Sequence, residues 1–289
     1  MIIINLKGGL GNQMFQYALG RHLSLRNNAT LKLETEGLAR ANAVGDIYRP
    51  FSLEKFNIVK DVATPEEVRT LKYPYGIVSK GLRFFKLRVL GQSNTVFNPA
   101  ALTYTGDIFL DGYWQSPLYF DAIRETLLKE LVLTAGFSAT GQEYAKHMQT
   151  SDSVSLHVRR GDYVKSPTVQ KEFGICTKEY YRAAIEAVSK RTINPTYFVF
   201  SDDIAWVKEH LPIGDNVVFV SGTELTDAEE LALMSQCKHN IIANSTFSWW
   251  GAWLNQNPDK LVVAPTPWFD NNPYDASLIP DTWTQLPKT

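Results

Sequence analysis

The sequence predicts an α/β protein with mainly parallel sheets, folded as two domains. Three observations carry this. The chain has 289 residues, of which 44% are hydrophobic, enough for more than one core. It opens on a strand, a glycine turn and a helix, and its second half alternates strand-like with helix-like runs, the pattern of a parallel sheet covered on both faces.

Ile2-Ile3-Ile4-Asn5-Leu6 is β-branched and suits a buried strand, and Lys7-Gly8-Gly9-Leu10-Gly11 then turns the chain. From Asn12 onward Met14, Phe15, Ala18, Leu19 and Leu23 recur at helical spacing, and Leu31 to Leu33 returns as a strand, completing a βαβ unit. The signal weakens between Arg40 and Val96, although Thr64-Pro65-Glu66-Glu67 is a capped helix start. Asp107 to Trp114 reads as a strand, and Ser116-Pro117 opens a helix running to Leu131. Beyond the polar Thr150-Ser151-Asp152-Ser153, strands are expected at Val154–Val158, Tyr197–Phe200, Val217–Val220, Asn240–Ala243 and Leu261–Val263. Helices begin between them near Thr177, Asp202, Thr226 and Thr246. The boundary is placed near 150, giving domains 1–150 and 151–289, with ligands expected at the carboxyl ends of the strands.

With 29 basic against 30 acidic residues the formal charge is -1, so there is no general attraction for nucleic acid or for an anionic membrane. Any anion has to be held locally. Cys176 and Cys237 are too few for a disulfide framework and fit a reducing compartment. The start lacks the basic and long apolar regions of a signal peptide, and the most apolar stretch, Ile241 to Leu254, is interrupted by Asn244, Ser245, Thr246 and Ser248. The expectation is a cytoplasmic protein without a membrane span, with weak peripheral association left open.

Three segments carry chemistry. The first is the glycine turn with Asn12. It reads either as a dinucleotide loop, with Glu34 as a ribose contact, or as a tight turn without ligand; Met14 stands where the third glycine of the dinucleotide fingerprint belongs. Asn12 either caps the helix or presents an amide to a hydroxylated ligand. The second is His157-Val158-Arg159-Arg160-Gly161-Asp162-Tyr163 at a strand end, where two adjacent guanidiniums suit diphosphate oxygens and the competing reading is a surface ion-pair cluster. Asp162 is placed to orient an arginine or take a proton, with His157 as a further donor. The third is Asn244-Ser245-Thr246-Phe247-Ser248, which sets hydroxyls and free backbone N–H groups at a helix start. The following Trp249, Trp250 and Trp253 are read as core. Asp202 and Asp203 are read as a helix cap rather than a metal pair, Glu229 completes a capping box, and Glu230 is left either to read guanine or to sit as a solvated charge.

These segments, in this order, resemble the glycosyltransferase family 11 α-1,2-fucosyltransferases. The resemblance rests on Gly8 to Ala18, His157 to Tyr163, Phe200 to Asp203 and Asn244 to Gly251, and is weakest between Arg40 and Val96. It implies a GT-B arrangement of two facing Rossmann-like domains, the first on the acceptor side and the second holding the GDP-sugar. It further implies GDP-fucose as donor, a galactose-terminated oligosaccharide as acceptor, and no obligatory metal or other cofactor. Gly9, Gly11, Arg159, Arg160, Glu230, Asn244, Ser245, Thr246 and Phe247 are then the donor-binding candidates; Asn12, His157, Arg159 and Asp162 are the catalytic ones. The reaction expected is inverting transfer of L-fucose to the 2-hydroxyl of a terminal galactose. Two other classes compete: an NAD-dependent oxidoreductase using the Gly9 loop, and a non-catalytic carbohydrate binder suggested by the 12% aromatic content.

Overall fold

A computed structural model describes residues 1–40, 50–72, 89–91, 96–271, 274 and 276–289. The chain divides into two compact units, Met1–Val132 with Tyr274–Leu278, and Leu133–Pro273 with Ile279–Thr289. The division falls at 132/133 rather than near 150 because helix Ala139–Thr150 packs with the second unit, burying Ala145 and Met148 against Phe198, Phe200 and Leu233.

The first unit holds a parallel sheet of β1 (Ile2–Asn5), β2 (Leu31–Glu34), β3 (Val89–Gly91) and β4 (Ile108–Asp111) in the order β2-β1-β4-β3. Ile2, Ile3 and Ile4 are fully buried, as a continuous apolar run requires when both sheet faces are covered. Helix Leu10–Arg26 follows β1 and is buried along most of its length. The Thr64 start is a capping box, Glu67 N–H donating to Thr64 Oγ1 and Thr64 N–H to Glu67 Oε2, and it opens helix Pro65–Lys72. The single helix expected from Ser116 to Leu131 is instead two 3-10 turns, Pro117–Tyr119 and Asp121–Ile123, followed by helix Arg124–Glu130. The chain breaks at Phe120 (φ -147°), where Tyr119 and Phe120 are both fully buried, so core packing overrides the helical pattern.

The second unit holds β5 (Ser153–Val158), β6 (Thr196–Ser201), β7 (Val217–Phe219), β8 (His239–Ile241), β9 (Val262–Thr266) and β10 (Thr284–Pro287). All pair in parallel, in the order β10-β9-β8-β5-β6-β7. This is the doubly wound order, and it reverses between β5 and β8. Strand β10 was not foreseen; it is an edge strand, where prolines are tolerated. Helices Lys178–Ser189 and Ile204–His210 contribute Tyr180, Tyr181, Ala184, Val188 and Val207 to the core over β5 and β6.

Trp249, Trp250 and Trp253 are 0%, 0% and 4% exposed, core residues as their spacing predicted. Gly251 lets their helix approach Asp227–Gln236, since a Cβ there would stand 2.7 Å from Met234 Cβ. Both cysteines are free and buried, and burial pushes the Cys176 thiol up to about 12. Among the described residues no helix is long and apolar enough to cross a membrane.

Candidate active site at the strand ends of the second sheet

In an open parallel sheet the crevice forms where strand order reverses, since the connections leave from that point to opposite faces. Here it lies at the carboxyl ends of β5 and β8, and the two motifs read as anion-binding follow those strands. They adjoin. The His157 and Phe247 ring centroids are 5.7 Å apart, the Arg159 guanidinium lies 5.7 Å from the Tyr163 ring, and Tyr163 Oη donates to Asn244 O at 3.2 Å.

Both arginines are paired. Arg159 Nη1 meets Asp202 Oδ2 at 2.9 Å, and Arg160 Nε meets Asp203 Oδ2 at 3.2 Å while its guanidinium stacks 4.0 Å from the Trp206 ring centroid. Asp202 Oδ1 also accepts from Arg160 N–H, and Asp203 Oδ1 caps helix Ile204–His210 through Trp206 N–H. The Asp202-Asp203 pair therefore caps a helix and orients guanidiniums. Neither guanidinium is sealed: side-chain exposure is 25% for Arg159 and 19% for Arg160, and among the described residues the two terminal amino groups of Arg160 take no hydrogen bond. Gly161 is required by this packing, because a Cβ there would stand 2.5 Å from Asp202 Oδ2.

His157 is 5% exposed, and its buried Nδ1 has no hydrogen-bond partner. Burial, assisted by Arg159 and opposed by Asp202, holds the imidazole neutral, well below its ordinary value. Asp162 lies in helix Gly161–Lys165, but its side chain is outside the described residues.

Helix Thr246–Leu254 starts at Ser245, whose side chain makes no capping hydrogen bond, so the first turn keeps its backbone donors. Thr246 and Phe247 are half-buried beside it. Asn244 has a different place from the one expected. It is 1% exposed and its amide donates to Phe173 O, Gly174 O and Trp268 O at 2.8, 3.2 and 3.2 Å, while Cys176 Sγ donates to its Oδ1. Its side chain anchors neighbouring loops instead of opening toward a ligand.

Glu230 is tied to the same strand edge. Its Oε2 accepts from Ser221 Oγ at 2.9 Å, Ser221 Oγ accepts from Ser201 N–H, and Ser201 Oγ accepts from Asp203 N–H. Burial pushes its carboxyl up to about 7, against the lowering effect of Ser221, with Asp227 adding to the rise. Glu229 differs: it completes the Thr226 capping box and accepts from Ser138 N–H, and these bonds outweigh burial and bring it to about 2.

The glycine turn belongs to the first unit. The left-handed residue is Gly8 (φ +76°), and a Cβ there would lie 2.7 Å from Asn12 Nδ2. Gly9 has an ordinary φ of -71° and open space where a Cβ would stand, and Gly11 is buried in the first helical turn. Two buried glutamines clamp the turn. Gln13 Nε2 donates to Gly8 O and Pro50 O, and Gln16 exchanges hydrogen bonds with the Lys7 backbone. Asn12 Oδ1 accepts from Gln115 Nε2 at 2.9 Å, a partner the sequence did not reveal. Glu34, the expected ribose contact, is 7% exposed and accepts from Glu36 N–H.

Fold and site together define an α/β protein whose second sheet carries a cationic strand tip beside an uncapped helix start. Residues 85–285 match the family model described as Glycosyl transferase family 11. The chain is 35% identical to the Alpha-1,2-colitosyltransferase of Escherichia coli, covering 100% of this chain and 99% of that relative. It is 33% identical to the O-antigen biosynthesis glycosyltransferase WbnK of Escherichia coli, over 97% and 99% of the two chains. The chain belongs to glycosyl transferase family 11. Among solved structures, NodZ α-1,6-fucosyltransferase co-crystallized with GDP superposes with a TM-score of 0.51 at 13% identity, over 86% of this chain and 90% of that one, and so shares the GT-B α/β fold. The nicotinamide reading of the Gly9 loop finds no support among these relatives.

Proposed function

We propose that the chain transfers L-fucose from GDP-β-L-fucose to the 2-hydroxyl of a terminal galactose, with inversion to an α linkage. The observation that carries this is the pair Arg159 and Arg160, partly exposed at the tip of β5 beside the Thr246 helix start at the reversal point of the sheet. The bond from the anomeric carbon to the phosphate oxygen breaks, the electron pair leaves on GDP, and the acceptor oxygen forms the new bond as its proton departs. Charge accumulating on the diphosphate is what preorganised guanidiniums and backbone N–H groups stabilise. Asn12, with its Oδ1 held by Gln115, presents its amide N–H to the acceptor hydroxyl. Asp162 takes the proton in this reading, with the neutral His157 as second candidate.

The guanidiniums supply the positive charge that a divalent cation supplies elsewhere, and the carboxylates of Asp202 and Asp203 are engaged with them, which favours a metal-independent reaction. Glu230 reads guanine, and a structural neighbour co-crystallized with GDP supports a guanine nucleotide as donor carrier. Ser245, Thr246 and Phe247 line the donor side. The reaction is expected in the cytoplasm. A second donor has specific support: the full-length relative transfers colitose in α-1,2 linkage, and colitose is L-fucose without its 3-hydroxyl.

Incubating the chain with GDP-fucose or GDP-colitose, a β-galactoside and EDTA tests these points together. Release of GDP with an α-1,2-linked product is expected, and the faster donor decides the sugar. No transfer from either donor would overturn the reading, and transfer only after a divalent cation is restored would overturn metal independence.

A further inference from the structure

At the carboxyl ends of β1 and β4, which pair at the centre of the first sheet, the side chains have the composition of a sugar subsite. Asn5 Nδ2, at the end of β1, donates to Asp111 Oδ1 at 2.9 Å, at the end of β4, and Lys7 Nζ reaches the same oxygen at 3.0 Å. Both bonds fall on Oδ1, so among the described residues Asp111 Oδ2 takes none, and the side chain is 35% exposed. Burial alone would raise this carboxyl, but Asn5 and Lys7 hold it below its ordinary value, as an acceptor-only carboxylate.

At the start of the helix that follows β1, Gln115 Nε2 fixes Asn12 Oδ1, and among the described residues the Asn12 amide N–H groups make no hydrogen bond. Gln115 is itself 5% exposed and its buried Oε1 has no partner. Tyr113, which lies between Asp111 and Gln115 in sequence, is 38% exposed and the one exposed aromatic side chain among the described residues, with Lys7 Nζ 4.9 Å from its ring centroid. The next residue, Trp114, has a left-handed backbone (φ 55°) and is fully buried, packed edge-on against Tyr119. Such a conformation is uncommon for a bulky residue, and here Trp114 faces the core while Tyr113 faces solvent.

Resting on the proposed function, we infer that this edge is the acceptor subsite: Tyr113 carries the apolar face of a galactopyranosyl ring while Asp111 Oδ2 and Asn12 Nδ2 hold its hydroxyls. The axial 4-hydroxyl of galactose leaves one ring face lined by C–H groups, which suits an aromatic platform. The opposite edge offers hydroxyl donors for a carboxylate and acceptors for an amide.

The experiment uses the full chain and methyl β-D-galactopyranoside. Saturation-transfer NMR reads ring contact without any donor, initial rates with GDP-fucose read the acceptor KM, and GDP titration checks that each variant is folded. For Tyr113→Ala the KM should rise about tenfold or more with kcat little changed, the ring-proton saturation should disappear, and GDP affinity should be retained. Tyr113→Phe should stay within about twofold of wild type, because the ring and not the hydroxyl is used. Asp111→Asn should weaken galactoside binding by about tenfold at unchanged GDP affinity. Galactoside binding by Tyr113→Ala and Asp111→Asn within about twofold of wild type would overturn the subsite, as would absence of saturation in the wild-type chain. A wild-type chain that shows the ring contact but transfers no sugar would overturn the proposed reaction and leave the subsite standing.

Discussion

Glu230 sits 2.9 Å from Ser221 Oγ and titrates near neutrality because burial disfavours its charge. A carboxylate that accepts hydrogen bonds from guanine N–H groups has to be ionised, so binding GDP at neutral pH should expel a proton from it. GDP affinity should therefore fall as pH drops through about 7. Titration calorimetry in buffers of different ionisation enthalpy measures that proton directly. Glu230→Gln should abolish the release and flatten the pH dependence; identical proton release by both proteins would remove Glu230 from the nucleotide site. Folding stability takes its sign from the same shift. The folded pKa lies above the ordinary carboxylate value, so this contribution is complete at acid pH and is lost as pH rises through about 7. The same separation of neighbours explains Arg159 and Arg160. Each has its own aspartate, which orients it without burying it.

At the level of elements, the starts of capped helices were legible in the sequence. The Thr226 and Thr64 boxes, the Asp203 cap and the Thr246 start were all legible, because each is a local contest for backbone N–H groups that a few residues decide. Thr226→Ala removes one such bond and should cost about 1 kcal/mol, lowering the melting temperature by roughly 2–4 °C. A thermal scan with unchanged melting temperature would show that Ser138 and Glu229 suffice without the cap. The stretch after Ser116 was misread for the opposite reason: its apolar spacing is helical, yet Tyr119 and Phe120 are held by packing that no local pattern encodes. Strand β10 was missed because Thr284-Gln285-Leu286-Pro287 offers one large aliphatic side chain and ends on a proline, and β3 falls in the stretch where the sequence signal is weak. In the site, residues adjacent in sequence were legible, whereas Ser221 with Glu230, Gln115 with Asn12, and Lys7 with Asp111 meet only through the fold. Asn244 was misassigned because a motif shows that a polar residue is needed but not whether it faces a ligand or a neighbouring loop.

On the scale of the whole molecule, near-neutral charge and two parallel sheets give a consistent picture. A chain with a formal charge of -1 has no long-range attraction for a nucleotide diphosphate, so the proposed donor recognition would depend on the few cations at a strand tip. The carboxyl ends of the second sheet carry guanidiniums and an uncapped helix start, and those of the first carry an aromatic ring, amides and a carboxylate. The proposed reaction assigns the former to an anionic leaving group and the latter to a neutral sugar. The most direct test is calorimetric titration of GDP into the wild-type chain and into Arg159→Ala, with circular dichroism confirming that the variant is folded. Loss of charge-assisted hydrogen bonds to the diphosphate should weaken GDP binding by about ten- to a hundredfold. A folded Arg159→Ala chain that binds GDP as tightly as wild type would contradict the account.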